Sequence, residues 1–160
     1  MSNPYAAKLG SRDEKEVIAA SPARLSALLE KIGSNRVESK LGPGKWSVRE
    51  ILCHLADTEI AFSFRLRQIL AEPDHVIQPF DQDQWARHYR KCSAQQALEV
   101  FTALRQWNTS LVSGVSRSEW SKAATHPERG ALTFATIVQT MAGHDLNHLE
   151  QLEKIAAQAA

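Results

Sequence analysis

The sequence predicts an all-α fold, a four-helix bundle with one long crossover connection. Three observations predict it. Apolar residues recur at intervals of three and four along four long segments. Clusters of Gly, Pro, Ser and Asn separate those segments, and β-branched runs with period-two alternation are absent.

The first helical pattern begins near Asp13 and runs to Ile32, with Ser21-Pro22 interrupting it. Serine is a good N-cap and proline suits the first helical position, so a fresh helix is expected from Pro22 to Ile32. Leu25, Leu28, Leu29 and Ile32 form its apolar face, and Gly33-Ser34-Asn35 ends it. After the turn-rich link Leu41-Gly42-Pro43-Gly44-Lys45-Trp46, Ser47 and Glu50 have the spacing of a capping box. The second helix extends to about Leu70, with Val48, Ile51, Leu52, Leu55, Phe62, Leu66 and Ile69 on one stripe.

Between Glu72 and Arg90 the periodicity fails. Pro73 and Pro79 punctuate the stretch, and Asp81 can cap a short helix through Gln84, Trp85 and Ala86. A connection this long is expected to be functional or to cross the fold. Ser93 and Gln96 have the spacing of a second capping box and open a third long helix on Ala97, Leu98, Phe101, Leu104 and Leu111. Ser116 to Glu119 can form a single turn, His126-Pro127-Glu128-Arg129-Gly130 reads as a loop, and the last helix spans roughly Leu132 to Ala157.

The 160 residues fit a single domain, 1–160, with its own core. Roughly the first twelve residues are polar and are expected to be loosely ordered. Lys and Arg total 19 against 18 Asp and Glu, interleaved rather than gathered, which argues against nucleic acid as a partner. No apolar run approaches the ~18 residues of a membrane span. The polar N-terminus has no secretory pattern, and Cys53 and Cys92 form no CxxC; free thiols and a cytoplasmic location are the expectation.

The chemistry gathers on the last helix. Phe134, Val138, Met141, His144, His148, Leu152 and Ile155 step along one face, so two histidines stand where the core stripe calls for leucine. A buried imidazole without a partner costs about 1–3 kcal/mol, so each needs a hydrogen bond or a metal. His54 lies beside the stripe of the second helix, on the flank of Ile51 and Thr58. Facing helices of a bundle build metal sites in its core, so His54, His144 and His148 are candidate ligands of a three-histidine site with an open position. Hydrogen-bonded core histidines are the alternative.

His144-Asp-Leu-Asn-His148 also resembles HExxH, with Asp145 in place of the glutamate base, one methylene shorter. Asp145 can act as a base, orient a ligand imidazole or face solvent; Asp57 is expected at the surface. Cys53, turned about 100° from His54, is expected to be a small buried hydrophobe. His75 and His88 are expected to be exposed, and Trp46 and Trp85 to pack, with Trp85 able to line a pocket mouth. No phosphate loop, GxSxG elbow or Cys/His/Asn set is present.

Pro43-Gly44-Lys45-Trp46-Ser47-Val48-Arg49-Glu50, then His54-Leu55-Ala56-Asp57, then His144 and His148 resemble the DinB-like superfamily. They resemble most its bacillithiol-transferase-like branch, whose members have also been called metal-dependent hydrolases. Pro79-Phe80-Asp81 with Trp85-Ala86, and His126 to Gly130, are similar to that branch's connections. The resemblance runs in order from about Pro22 to Ile155 and implies a four-helix bundle, often a homodimer, with one divalent metal on His54, His144 and His148. Zn and Ni head the expectation, with Fe, Mn or Cu as alternatives. It further implies transfer of a small-molecule thiol onto an electrophilic substrate. Thr140-Met141-Ala142-Gly143 departs from the branch, lacking the aromatic and extra histidines common there, and this leaves the identity of the thiol open. A hydrolase that activates water at the same ion, and a non-catalytic stress-related or ligand-binding bundle, are the other readings.

Overall fold

A computed structural model describes residues 3–158. Its elements are α1 (Ala6–Leu9), α2 (Glu14–Ile32), α3 (Val48–Ala71), α4 (Gln82–Ala86), α5 (Ala94–Gly114), β1 (Ala123–His126), β2 (Gly130–Thr133) and α6 (Phe134–Ala157). The four long helices, α2, α3, α5 and α6, form the bundle. Helix α2 packs beside α5 and α6, and so does α3, so α2 faces α3 across the diagonal and α5 faces α6.

Side-chain pairings give the directions. Glu59 and Ser63 of α3 meet Arg105 and Asn108 of α5 in rising order, so these two helices run parallel. Arg24 of α2 meets Glu153 of α6, and Arg36 just beyond α2 meets the carbonyl of Ile155, so that pair is parallel too. The order is up, down, down, up. A parallel pair obliges the chain to return along the bundle, which is the work of the long connection between α3 and α5. Along the way Ile77 N donates to Thr125 O at 2.8 Å and Thr125 N to His75 O at 2.9 Å, which ties that connection to β1.

Caps read from sequence are present where local chemistry decides them. Glu50 Oε2 accepts from Ser47 N at 2.7 Å, while Ser47 Oγ accepts from Glu50 N at 3.2 Å. Asp81 accepts from Asp83 N and Gln84 N and starts α4. Ser93 caps α5 through Gln96 N alone, so the second expected box is half formed.

Three features differ from the sequence expectations. Helix α2 continues through Pro22 instead of restarting there. The stretch from Ala123 to Thr133 is an antiparallel hairpin, with His126 opposite Gly130 and Gly130 in the left-handed region (φ 77°), and α6 starts after it behind a Thr133–Thr136 capping box. Strands of four residues are too short to show alternation, which is why they read as loop. From Asn3 onward the N-terminal segment is docked rather than loose: α1 packs on α6, and Leu9 is 6% exposed within the core, while Met1 and Ser2 lie outside the described residues.

The apolar core falls into two clusters. One holds Leu25, Leu55, Phe101, Leu149, Leu152 and Ile155; the other holds Ile18, Phe62, Leu66, Phe134, Val138 and Met141. Between them every long helix contributes buried polar residues: Ser21, His54 and Glu59, Arg105 and Asn108, and His144, Asp145 and His148. Placing charge at this depth is unfavourable unless partners meet it, which marks this layer as the candidate functional region. No described helix is long and apolar enough to cross a membrane.

Candidate metal centre

His144 and His148, one turn apart on α6, project toward His54 on α3, and all three are buried. His54 Nε2 lies 2.9 Å from His144 Nε2, and His148 Nε2 lies 3.2 Å from the same atom. Metal–nitrogen bonds of ~2.0–2.1 Å in a tetrahedral site place ligand nitrogens about 3.3 Å apart. The observed spacing fits that figure.

Proton arithmetic also favours a cation. His148 Nδ1 donates to Gln151 Oε1 at 3.1 Å, which leaves Nε2 as a bare lone pair facing His144. His144 Nε2 carries at most one proton and cannot satisfy both neighbours. A divalent ion at the convergence satisfies all three lone pairs. The electrostatics keep the rings neutral: burial, then the nearby His148, lowers His54 to about 3. Burial lowers His148 to about 4, against opposing contributions from Gln151 and Asp145. Burial, His148, His54 and Arg105 push His144 well below its usual range. Neutral imidazole is the form that binds metal.

The surroundings are aromatic. Trp46 lies 4.6 Å from the His54 ring and stacks on His148 at 6.3 Å and 15°. Tyr5 and Phe62 stand edge-on to His144 at 5.4 and 6.2 Å. Thr58 Oγ1 sits 3.4 Å from His54 Nε2. A cavity of about 520 Å³ opens onto His54 and His148, walled by Tyr5 and Trp46 and rimmed by Lys45, Gln82, Asp83, Asn147 and Gln151.

Asp145 is placed otherwise than the sequence considered. It faces neither solvent nor the ligand imidazoles: both carboxylate oxygens accept from Arg105, Oδ1 at 3.1 Å. Arg105 also forks onto Glu59, with Nε to Oε1 at 3.0 Å and Nη2 to Oε2 at 2.7 Å. Asn108 Nδ2 donates to the same Glu59 Oε1 at 2.7 Å. Burial alone would favour loss of the Arg105 proton, but Asp145 and Glu59 more than offset it and keep the guanidinium charged. A carboxylate held in this way is not available as a base, so the HExxH likeness ends at the two histidines.

Other candidates sort by position. Cys53 is buried, and burial first, then Cys92, pushes its thiol up to about 12; it is no nucleophile at neutral pH. It lines a separate cavity of about 1020 Å³ with Asp57, His88, Cys92 and Trp85, so Trp85 does border a pocket mouth, but not that of the histidines. His88 is exposed, whereas His75 is mostly covered and pairs with Glu72 at 3.0 Å. Trp46 both packs and walls the site. Sequence reasoning missed Tyr5, Glu59 and Arg105. Arg105 had a signal: with Phe101, Asn108 and Val112 it lies on the buried stripe of α5.

Fold and site together define a helical bundle with a buried three-histidine centre. The model of the DinB superfamily matches residues 18–152, and the chain belongs to that superfamily. A protein of Oceanobacillus iheyensis, provisionally named a metal-dependent hydrolase, is 25% identical over 135 residues, covering 84% of this chain and 78% of its own. A Bacillus cereus protein with the same provisional name is 21% identical over 135 residues, with the same coverage. Among solved structures, YfiT from Bacillus subtilis superposes with a TM-score of 0.83 at 20% identity, over 89% of this chain and 83% of that one. It is described as "a probable metal-dependent hydrolase with an unusual four-helix bundle topology".

Proposed function

We propose that this protein is a metal-dependent transferase that joins a low-molecular-weight thiol to an electrophilic substrate. His54, His144 and His148 would hold a divalent ion, with Zn or Ni the best suited. The observation that carries the reading is the convergence of three neutral imidazole nitrogens beside an open cavity, while Asp145, next to His144 in the chain, is committed to Arg105. A bound divalent ion would supply a lowered thiol pKa, so that thiolate is present at neutral pH without a protein base. The chain's own residues do the rest. The histidines orient the sulfur's site, Trp46 and Tyr5 shield it, and the cavity mouth lets the thiol proton leave to solvent. The sulfur then bonds to the electrophilic carbon as the leaving group departs with its electron pair.

A hydrolase is the second reading, favoured by the provisional names of the relatives. Protein with a full metal complement, offered a broad panel of thiols with a chromogenic alkylating electrophile, separates the two. Conjugation that disappears in His144→Ala supports the transferase. Turnover of esters or amides without added thiol, and no conjugation of any thiol, overturns it in favour of hydrolysis.

A further inference from the structure

Gly143 lies in the interior of α6, next to His144, where glycine is unfavourable relative to alanine. Its reason is contact. A Cβ at this position would stand 2.5 Å from Tyr5 Cβ and 2.7 Å from the Tyr5 carbonyl oxygen. The missing side chain forms a notch in the helix, and the N-terminal segment lies in it. That segment is anchored at several points. Leu9 is in the core, Lys8 pairs with Glu150 of α6, and Arg12 donates back to the carbonyls of Lys8 and Leu9 at 3.0 and 3.2 Å. Tyr5 N donates to Asn3 Oδ1 at 2.9 Å, and Tyr5 O accepts from Lys8 N and Leu9 N.

The consequence is the placement of one ring. Tyr5 stands edge-on to His144, 5.4 Å between centroids at 75°, and lines the cavity onto which His54 and His148 open. With Trp46 it gives that cavity two aromatic walls, while Lys45, Asn147 and Gln151 supply a polar rim. Such a cavity suits a ligand anchored at the histidines by one donor atom, with an apolar body between the walls and polar groups at the mouth.

We propose that Tyr5, seated by the Gly143 notch, is a specificity-determining residue that contacts the apolar body of the substrate held at the three-histidine centre. The proposal rests on the metal reading above and names the class of ligand: a compound with one metal-binding donor and an apolar or aromatic body.

The test uses the full chain loaded with cobalt(II), whose visible spectrum reports binding of an exogenous thiol. Titration with 2-mercaptoethanol and with benzyl mercaptan gives a ratio of dissociation constants that measures recognition of the apolar body. Tyr5→Ala is expected to lower the preference for benzyl mercaptan about tenfold, with 2-mercaptoethanol changed less than about twofold. Gly143→Ala, which displaces Tyr5 while leaving the ring and all three histidines in the chain, is expected to lower it in the same direction. Tyr5→Phe is expected to keep the wild-type ratio. Variants that take up cobalt and show the wild-type ratio overturn the role of Tyr5 and leave the metal reading standing. Wild-type protein that takes up no cobalt overturns both.

Discussion

Arg105 Nη1 donates to the carbonyl of Ile18 at 3.2 Å. That carbonyl is the one Pro22 leaves without its helical donor, since proline has no N–H to return to the residue four positions back. The same guanidinium grips Glu59 on α3 and Asp145 on α6, so one side chain from α5 meets all three other long helices. Glu59 lies on the helix that carries His54, and Asp145 directly follows His144 on the helix that carries the other two histidines. Arg105 thereby fixes the spacing of α3 and α6 where the imidazoles meet.

Removing that charge leaves two buried carboxylates without compensation. Arg105→Met is expected to destabilise the fold by about 3–5 kcal/mol, the usual cost of breaking a buried ion pair from one side. Arg105→Lys is expected to recover only a minor part, because an ammonium cannot form two forks and reach the Ile18 carbonyl as well. Urea denaturation of the three proteins checks both statements.

Relief of Pro22 should give little. An interior proline ordinarily costs a helix ~3 kcal/mol, yet here the stranded acceptor already has a donor in Arg105. Pro22→Ala is therefore expected to change stability by less than about 1 kcal/mol, read from the same denaturation curves. A gain near the ordinary figure would mean that the Arg105 contact is of no energetic consequence.

Asp145→Asn separates structure from ligation. Because the carboxylate serves Arg105, the variant is expected to lose about 1–3 kcal/mol of stability while keeping the metal content of the wild type. Elemental analysis beside a melting curve distinguishes this from a ligand, whose loss would remove the metal, and an activity assay distinguishes it from a catalytic base, whose loss would lower activity with stability kept.

Acid should act on the metal-free protein through the histidines. Burial depresses His54 to about 3 and His148 to about 4, and His144 is also lowered. In the unfolded chain all three bind protons below about 6.5, where the folded state does not. Stability of the chelated protein is expected to be level above that pH and to fall as pH drops through 6 toward 4. Melting temperature across that range is the measurement, and with a histidine-to-leucine variant at position 54 the slope should be shallower.

Much of this was legible in the chain. The stripes of α3 and α6 place His54, His144 and His148 in or beside the core by helical period alone, and the Ser47–Glu50 and Asp81 caps are local chemistry that acts within a few residues. What was hidden depends on residues far apart in sequence. Pro22 reads as a helix start because the donor that lets α2 continue lies on α5. Asp145 reads as a base, an orienter of a ligand imidazole or a solvent-facing residue because its partner, Arg105, lies on α5. Tyr5 sits in a polar segment with no periodicity, and only the gap at Gly143 shows that something must rest there. Glycine inside an amphipathic helix next to a candidate ligand was the available clue. The long connection is a further case: its length is plain, but its role in joining two parallel helices follows only from the pairing of Glu59 with Arg105.

The central claim is the three-histidine metal centre, and metal content tests it most directly. Elemental analysis of the purified protein, beside His54→Ala, His144→Ala and His148→Ala, should find about one divalent ion per wild-type chain. Each variant should lose it, and the chelated wild type should regain thermal stability on reloading, as binding to the folded state alone requires. A wild-type protein without stoichiometric metal, whose melting temperature is indifferent to chelator and to added Zn or Ni, would contradict the account.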